Sequence, residues 1–216
     1  MTAAGLGRFR APPTTRNKPV AGTVCEMCGV PIAGEHEPGN GHGHVANTEN
    51  RQIMCTCRGC WLLFTHSGAG KGKYRAVPDR YRYAPSFALD DALWADLAIP
   101  VKMAFFFVNA EQERWVAFYP SPAGATESLL SLDSWADVLA ANPAFADVEP
   151  DVEALLLLRG SGGFECFGVP IDSCYELVGL VKLHWRGFDG GEQAWKEIDG
   201  FFDRLRERGK RVGTDG

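Results

Sequence analysis

The chain has 216 residues, 45% of them hydrophobic, with six Trp and 13 Phe. That is apolar surface for one sizeable domain plus a small module, and it excludes a chain that stays unfolded throughout. No run reaches the ~18–20 apolar residues of a membrane helix. The basic residues Arg8, Arg10, Arg16 and Lys18 lack the apolar core of a secretory signal, so a cytoplasmic setting is expected. The net charge of −5 is unevenly spread: residues 1–83 carry 11 Lys/Arg against 5 Asp/Glu, and residues 84–200 carry 6 against 19.

Residues 1–22 are rich in Pro, Gly, Ala and Thr without apolar periodicity, and are expected to form a disordered basic tail. Residues 23–66 hold five of the seven cysteines. Cys25-Glu-Met-Cys28 and Cys57-Arg-Gly-Cys60 each have the C-x-x-C spacing that puts two sulfurs on one side of a tight turn. Two such turns supply four thiolates, a full tetrahedral shell for Zn²⁺ or iron. Cys25, Cys28, Cys57 and Cys60 are therefore the expected metal ligands, in a segment too short to fold on a core of its own. The alternatives are two disulfides or buried thiols.

Cys55 stands two residues before Cys57, so in an extended segment both side chains share a face. It can be an extra ligand, a substitute for one of the four, part of an iron–sulfur cluster, or a small buried hydrophobe. Between the knuckles lie His36, His42 and His44 in a Gly/Pro-rich stretch. His36 and His42 read as solvated loop residues, while His44, just before the more ordered Val45, is kept as a possible ligand. His66 has no evident partner. Residues 51–55 are expected to form a strand, and Trp61-Leu-Leu-Phe64 to cover the metal or dock on the main domain.

Residues 67–85 read as a linker of basic and aromatic residues. Such interleaving can stack on single-stranded nucleic acid, but the acidic chain as a whole favours a linker anchored by its tyrosines. Gly-Lys-Gly-Lys at 70–73 lacks the frame of a phosphate-binding loop.

Residues 86–209 read as one α+β domain: an antiparallel sheet with helices packed on one face. Asp90–Leu97 is a short helix. Val101–Val108 and Arg114–Tyr119 form a hairpin, and 120–125 a turn. Asp133 opens a helix that Asn142-Pro143 ends. Glu153–Arg159 and Phe164–Val169 form a second hairpin around Gly160–Gly163, or the first of them a buried helical turn. A helix starts at Pro170 with Asp172 as its N-cap, and a last helix covers Glu192–Arg208. Cys166 and Cys174 read as core residues, and 210–216 as a tail. No G-x-S-x-G, H-E-x-x-H or dinucleotide fingerprint is present, so no catalytic residue is assigned and a non-enzymatic role is expected.

The stretches CEMCGVPI, CTCRGCWLLF, YRAVPDRYRY, FYPSPAGATESLL, EPDVEALL, VPIDSCYELVGLVK and HWRGFDGGEQAW together resemble an uncharacterised, mainly actinobacterial family encoded beside high-affinity nickel–iron hydrogenases. That family has a compact E-H-x-H stretch between its cysteine pairs. Here Glu35-His36 is separated from His44 by a Pro/Gly-rich insertion. The resemblance implies an accessory role in hydrogenase assembly or electron transfer, with a hydrogenase subunit or maturation factor as partner. The knuckles are also similar to those of zinc ribbons and rubredoxins, although Trp61 follows Cys60 where rubredoxins have Gly. Three readings result: a structural-zinc accessory protein, a rubredoxin-like carrier with iron at the same cysteines, and a nucleic-acid-binding zinc-ribbon protein.

Overall fold

A computed structural model describes residues 24–32, 42–66, 68–128 and 135–213. The expectations for the basic tail at 1–22, for His36 and for Asp133 fall outside these residues.

The segment between the cysteine pairs folds back on itself. β1 (His42–Asn47) and β2 (Gln52–Cys57) pair antiparallel across the turn 48–51, and β3 (Tyr74–Ala76) adds to the free side of β1. α1 (Arg58–Leu63) leaves β2 directly. Gly43 is the position that lets α1 lie against this sheet. A Cβ there would sit 2.6 Å from the Trp61 indole, closer than packed atoms allow.

The second sheet has seven strands: β4 (Arg82–Phe87), β5 (Met103–Asn109), β6 (Arg114–Ser121), β7 (Gly124–Ser128), β8 (Glu153–Gly160), β9 (Gly163–Pro170) and β10 (Lys210–Arg211). Their order is β10-β4-β9-β8-β5-β6-β7, antiparallel except for the β10–β4 edge pair. The α+β class and both hairpins are as expected. The turn expected at 120–125 is shorter: Pro120 and Ser121 end β6, and Gly124 and Ala125 open β7, which pairs with β6 as an edge strand.

Helices lie on both faces of this sheet. α4 (Ile171–His184) and α5 (Gly191–Arg208) share a core with Met103, Phe105, Phe107, Leu156 and Phe167. α2 (Asp91–Asp96) and α3 (Trp135–Ala141) share the other core with Ala104, Phe106, Leu155, Leu157 and Cys166. The expectation of helices on one face is corrected here. The central strands read MAFFFVN and EALLLLRG, apolar at odd and even positions alike, so water must be excluded from both sides. The Phe106 and Trp135 rings stack at 4.1 Å between centroids.

The stretch 67–85 does more than connect. It supplies β3 to the small sheet and opens β4 of the large one. Its guanidiniums reach across to the acidic domain. Arg80 donates to both carboxylate oxygens of Glu153, at 2.8 and 2.5 Å, and to Asp147 at 2.7 Å. Arg82 also pairs with Asp147, and Arg75 donates to the Pro150 carbonyl at 2.7 Å. Arg75, Arg80 and Arg82 of the basic segment thus pair with Asp147, Glu149 and Glu153 of the acidic one. Ala46 and Val77 join the α4/α5 core, and Ile53 packs on it, which ties the small sheet to the large domain.

Candidate metal centre

The first knuckle is a turn held by Gly29 N–H to the Cys25 carbonyl and Cys25 N–H to the Val30 carbonyl, both at 2.8 Å. Gly29 takes φ +78°, the left-handed conformation that closes such a turn without a Cβ clash. Two bonds set the knuckle beside β2: Glu26 N–H to the Cys55 carbonyl at 2.9 Å, and Cys55 N–H to the Glu26 carboxylate at 2.6 Å. The second knuckle is the start of α1. Cys57 caps that helix, its Sγ accepting from Cys60 N–H at 3.5 Å.

These contacts bring together Cys25, Cys28, Cys57 and Cys60, with sulfurs all within 4.8 Å of one another. The Cys28 and Cys57 sulfurs are 3.8 Å apart. Two thiolates on one tetrahedral zinc, each at about 2.3 Å, stand about 3.8 Å apart, so the spacing is that of a shared ion. No disulfide joins any of the seven cysteines in the structure. Four close cysteines can thus hold one metal ion.

The electrostatics of the cluster point the same way. Burial opposes ionisation of Cys25, but backbone N–H groups of Cys57, Cys28 and Met27 outweigh it and bring the thiol down to about 6. Cys60 is pushed up to about 12, first by desolvation and then by the Cys28, Cys25 and Cys57 sulfurs. Backbone contact with Val30 favours the Cys28 thiolate, yet the Cys25 sulfur, with desolvation and the Cys57 sulfur behind it, leaves its pKa raised. Four thiolates this close cannot all ionise without a cation, and a divalent ion removes that repulsion.

Cys55 is not part of this group. It sits opposite His44 in the β1–β2 register, as Cys57 sits opposite His42. His42, His44 and Cys55 form a second cluster with ligand atoms within 4.8 Å. The Nε2 atoms of His42 and His44 are 3.0 Å apart, and His44 Nδ1 lies 2.5 Å from Asp172 Oδ2. Burial disfavours the His44 cation, but Asp172 and then Cys55 outweigh it and hold its pKa up to about 9. The reading of His42 as a solvated loop residue is corrected: it is half-buried in β1, paired with β2. Its i, i+2 spacing to His44 was the available signal, since alternation puts both on one face of a strand. Asp172 is corrected too. It lies in the first turn of α4 but makes no cap bond, because its carboxylate is turned to His44. Nothing in the sequence marks a partner 128 residues away.

Cys166 and Cys174 are fully buried, with thiols pushed well up by desolvation, as core residues should be. Trp61 donates its indole N–H to the Val77 carbonyl at 2.9 Å, so it docks α1 onto the chain leaving the module. Leu62 and Leu63 on α1 and Val30 after the first knuckle remain exposed. No helix among the described residues is long and apolar enough to cross a membrane.

The model of a family of unknown function, DUF5947, matches residues 24–209. No curated protein and no solved structure gives a significant match to the chain.

Proposed function

From the premise that the chain belongs to the family of unknown function DUF5947, we propose that it is a metal-binding accessory protein that works by protein–protein contact in a nickel–iron hydrogenase system. The observation that carries the metal-binding part is the four-sulfur cluster of Cys25, Cys28, Cys57 and Cys60. The contact surface rests on Val30, Leu62 and Leu63, apolar side chains left exposed two or three residues from the cysteines. The hydrogenase link rests on the sequence motifs alone and names the partner class: a hydrogenase subunit or a maturation factor. Zinc is the preferred ion. The thiolate set has the composition of a closed structural zinc site, and Trp61 replaces the glycine of a rubredoxin turn.

Deleting the chain from its host should lower assembled hydrogenase activity. The wild-type chain should restore it, and Cys57→Ser or Leu62→Glu/Leu63→Glu should not. Unchanged activity in the deletion strain would remove this reading. The exposed Cys28 favours a second reading, a rubredoxin-like electron carrier with iron at the same sulfurs, since an outward sulfur is a route for outer-sphere transfer. A colourless protein holding zinc excludes that reading, whereas a red protein bleached by dithionite establishes it over the zinc one.

A further inference from the structure

We propose that His42, His44 and Cys55 hold a second transition-metal ion, with one coordination position open to solvent. This does not depend on the accessory role or on which metal the four cysteines take.

The two histidines converge in a way that suits an ion. His44 Nδ1 is tied to Asp172 Oδ2 at 2.5 Å, which aims its other nitrogen, Nε2, at His42 Nε2 only 3.0 Å away. Two imidazole nitrogens bound to one tetrahedral ion at about 2.0–2.1 Å stand about 3.3 Å apart. The pair is thus near ligand spacing without rearrangement of the strands. A carboxylate on the far nitrogen of a ligand histidine fixes the tautomer and strengthens the donor. The other Asp172 oxygen, Oδ1, is buried and takes no hydrogen bond among the described residues. A cation on His44 would offset that unsatisfied negative charge.

His42, His44, Cys55 and Cys57 all sit on one face of the β1–β2 hairpin, in the pairs His42 with Cys57 and His44 with Cys55. Cys55 falls outside the four-sulfur group, and its sulfur lies instead within 4.8 Å of ligand nitrogens of His42 and His44. Its thiolate is the third ligand, and a nitrogen–nitrogen–sulfur set selects zinc, cobalt or iron over magnesium or calcium. A cavity of about 600 Å³ meets the site on its histidine side, lined by His42, His44, Asp172, Arg58, Arg204 and Arg208. With three protein ligands among the described residues and a cavity beside them, a place is left for water or a small exogenous ligand, unlike the four-sulfur site.

The test uses the full chain equilibrated with Co²⁺ and desalted. Wild type should retain two equivalents. The double variant His42→Gln/His44→Gln should retain one, with the thiolate-to-cobalt bands of the four-cysteine site intact. Cys55→Ser, which leaves both imidazoles in place, should likewise fall to one and guards against a double variant that fails to fold. One equivalent in wild type, or two in either variant, overturns the second site. Azide added to cobalt-loaded wild type should shift the visible d–d bands and leave the double variant unchanged. No shift in wild type overturns the open position.

Discussion

At the residue scale, the sulfur atoms of the first cluster are held by bonds that do not involve the metal. Gly29, Glu26 and the α1 cap each fix a knuckle through hydrogen bonds of their own. Cys57 is the most connected of the four, since it belongs to β2, caps α1 and supplies a ligand. Cys57→Ser should therefore abolish binding at that site and lower the melting temperature, both measurable by metal analysis and calorimetry. Gly43→Ala tests the docking of α1. The new methyl would meet Trp61 at 2.6 Å. Overpacking of this kind costs about 1–3 kcal/mol, and the indole bond to Val77 should break, seen as a shift in tryptophan fluorescence. Asp172→Asn keeps the shape and removes the charge behind His44. Affinity at the second site should fall about 10–100-fold, as for lost outer partners of ligand histidines, with the four-cysteine site unchanged.

At the element scale, the hairpin β1–β2 and the first turn of α4 explain which parts of the site the sequence reveals. The C-x-x-C spacings are local, so four ligands could be read directly. The histidine cluster depends on strand register, which sets His44 against Cys55 and needs β1 to exist. A Gly-rich segment disguised that strand, because its glycine is demanded by Trp61 rather than by a loop. Both hairpins of the large sheet were legible from their β-branched and aromatic runs and turn residues. The helices α2 and α3 were legible, but their place on the opposite face was not, because it follows from the continuous apolar character of β5 and β8 rather than from the helices themselves. The segment 74–82 is held by ion pairs centred on Glu153, which is 1% exposed and accepts two bonds from Arg80. Removing one partner of a fully buried pair costs about 3–5 kcal/mol. Arg80 is 38% exposed and screened by solvent, so Arg80→Met should cost less. The expected loss is about 2 kcal/mol in denaturant unfolding.

At the scale of the whole molecule, the basic module and the acidic domain are joined by shared core and by charge. Ala46 and Val77 belong to the same apolar cluster as α4 and α5. Removal of metal by a chelator should therefore lower the temperature of one cooperative transition rather than split off a separate early one, which scanning calorimetry would reveal. Acid should loosen the β9–α5 side. Burial disfavours the Glu165 carboxylate, but Arg206 and then Tyr83 outweigh it and hold its pKa below the ordinary 4.5. A depressed carboxylate stabilises the fold above its unfolded value, and that contribution is lost as pH falls through the folded one. The stability gap between wild type and Glu165→Gln should thus be full above pH 4.5 and close below it.

The central claim is that Cys25, Cys28, Cys57 and Cys60 bind one ion with sulfur alone. X-ray absorption at the metal edge of the His42→Gln/His44→Gln variant tests it most directly, since only the four-cysteine site should then be filled. The structure predicts a single shell of four sulfurs at about 2.3 Å. A shell containing nitrogen or oxygen, or a protein purified without metal, would contradict it.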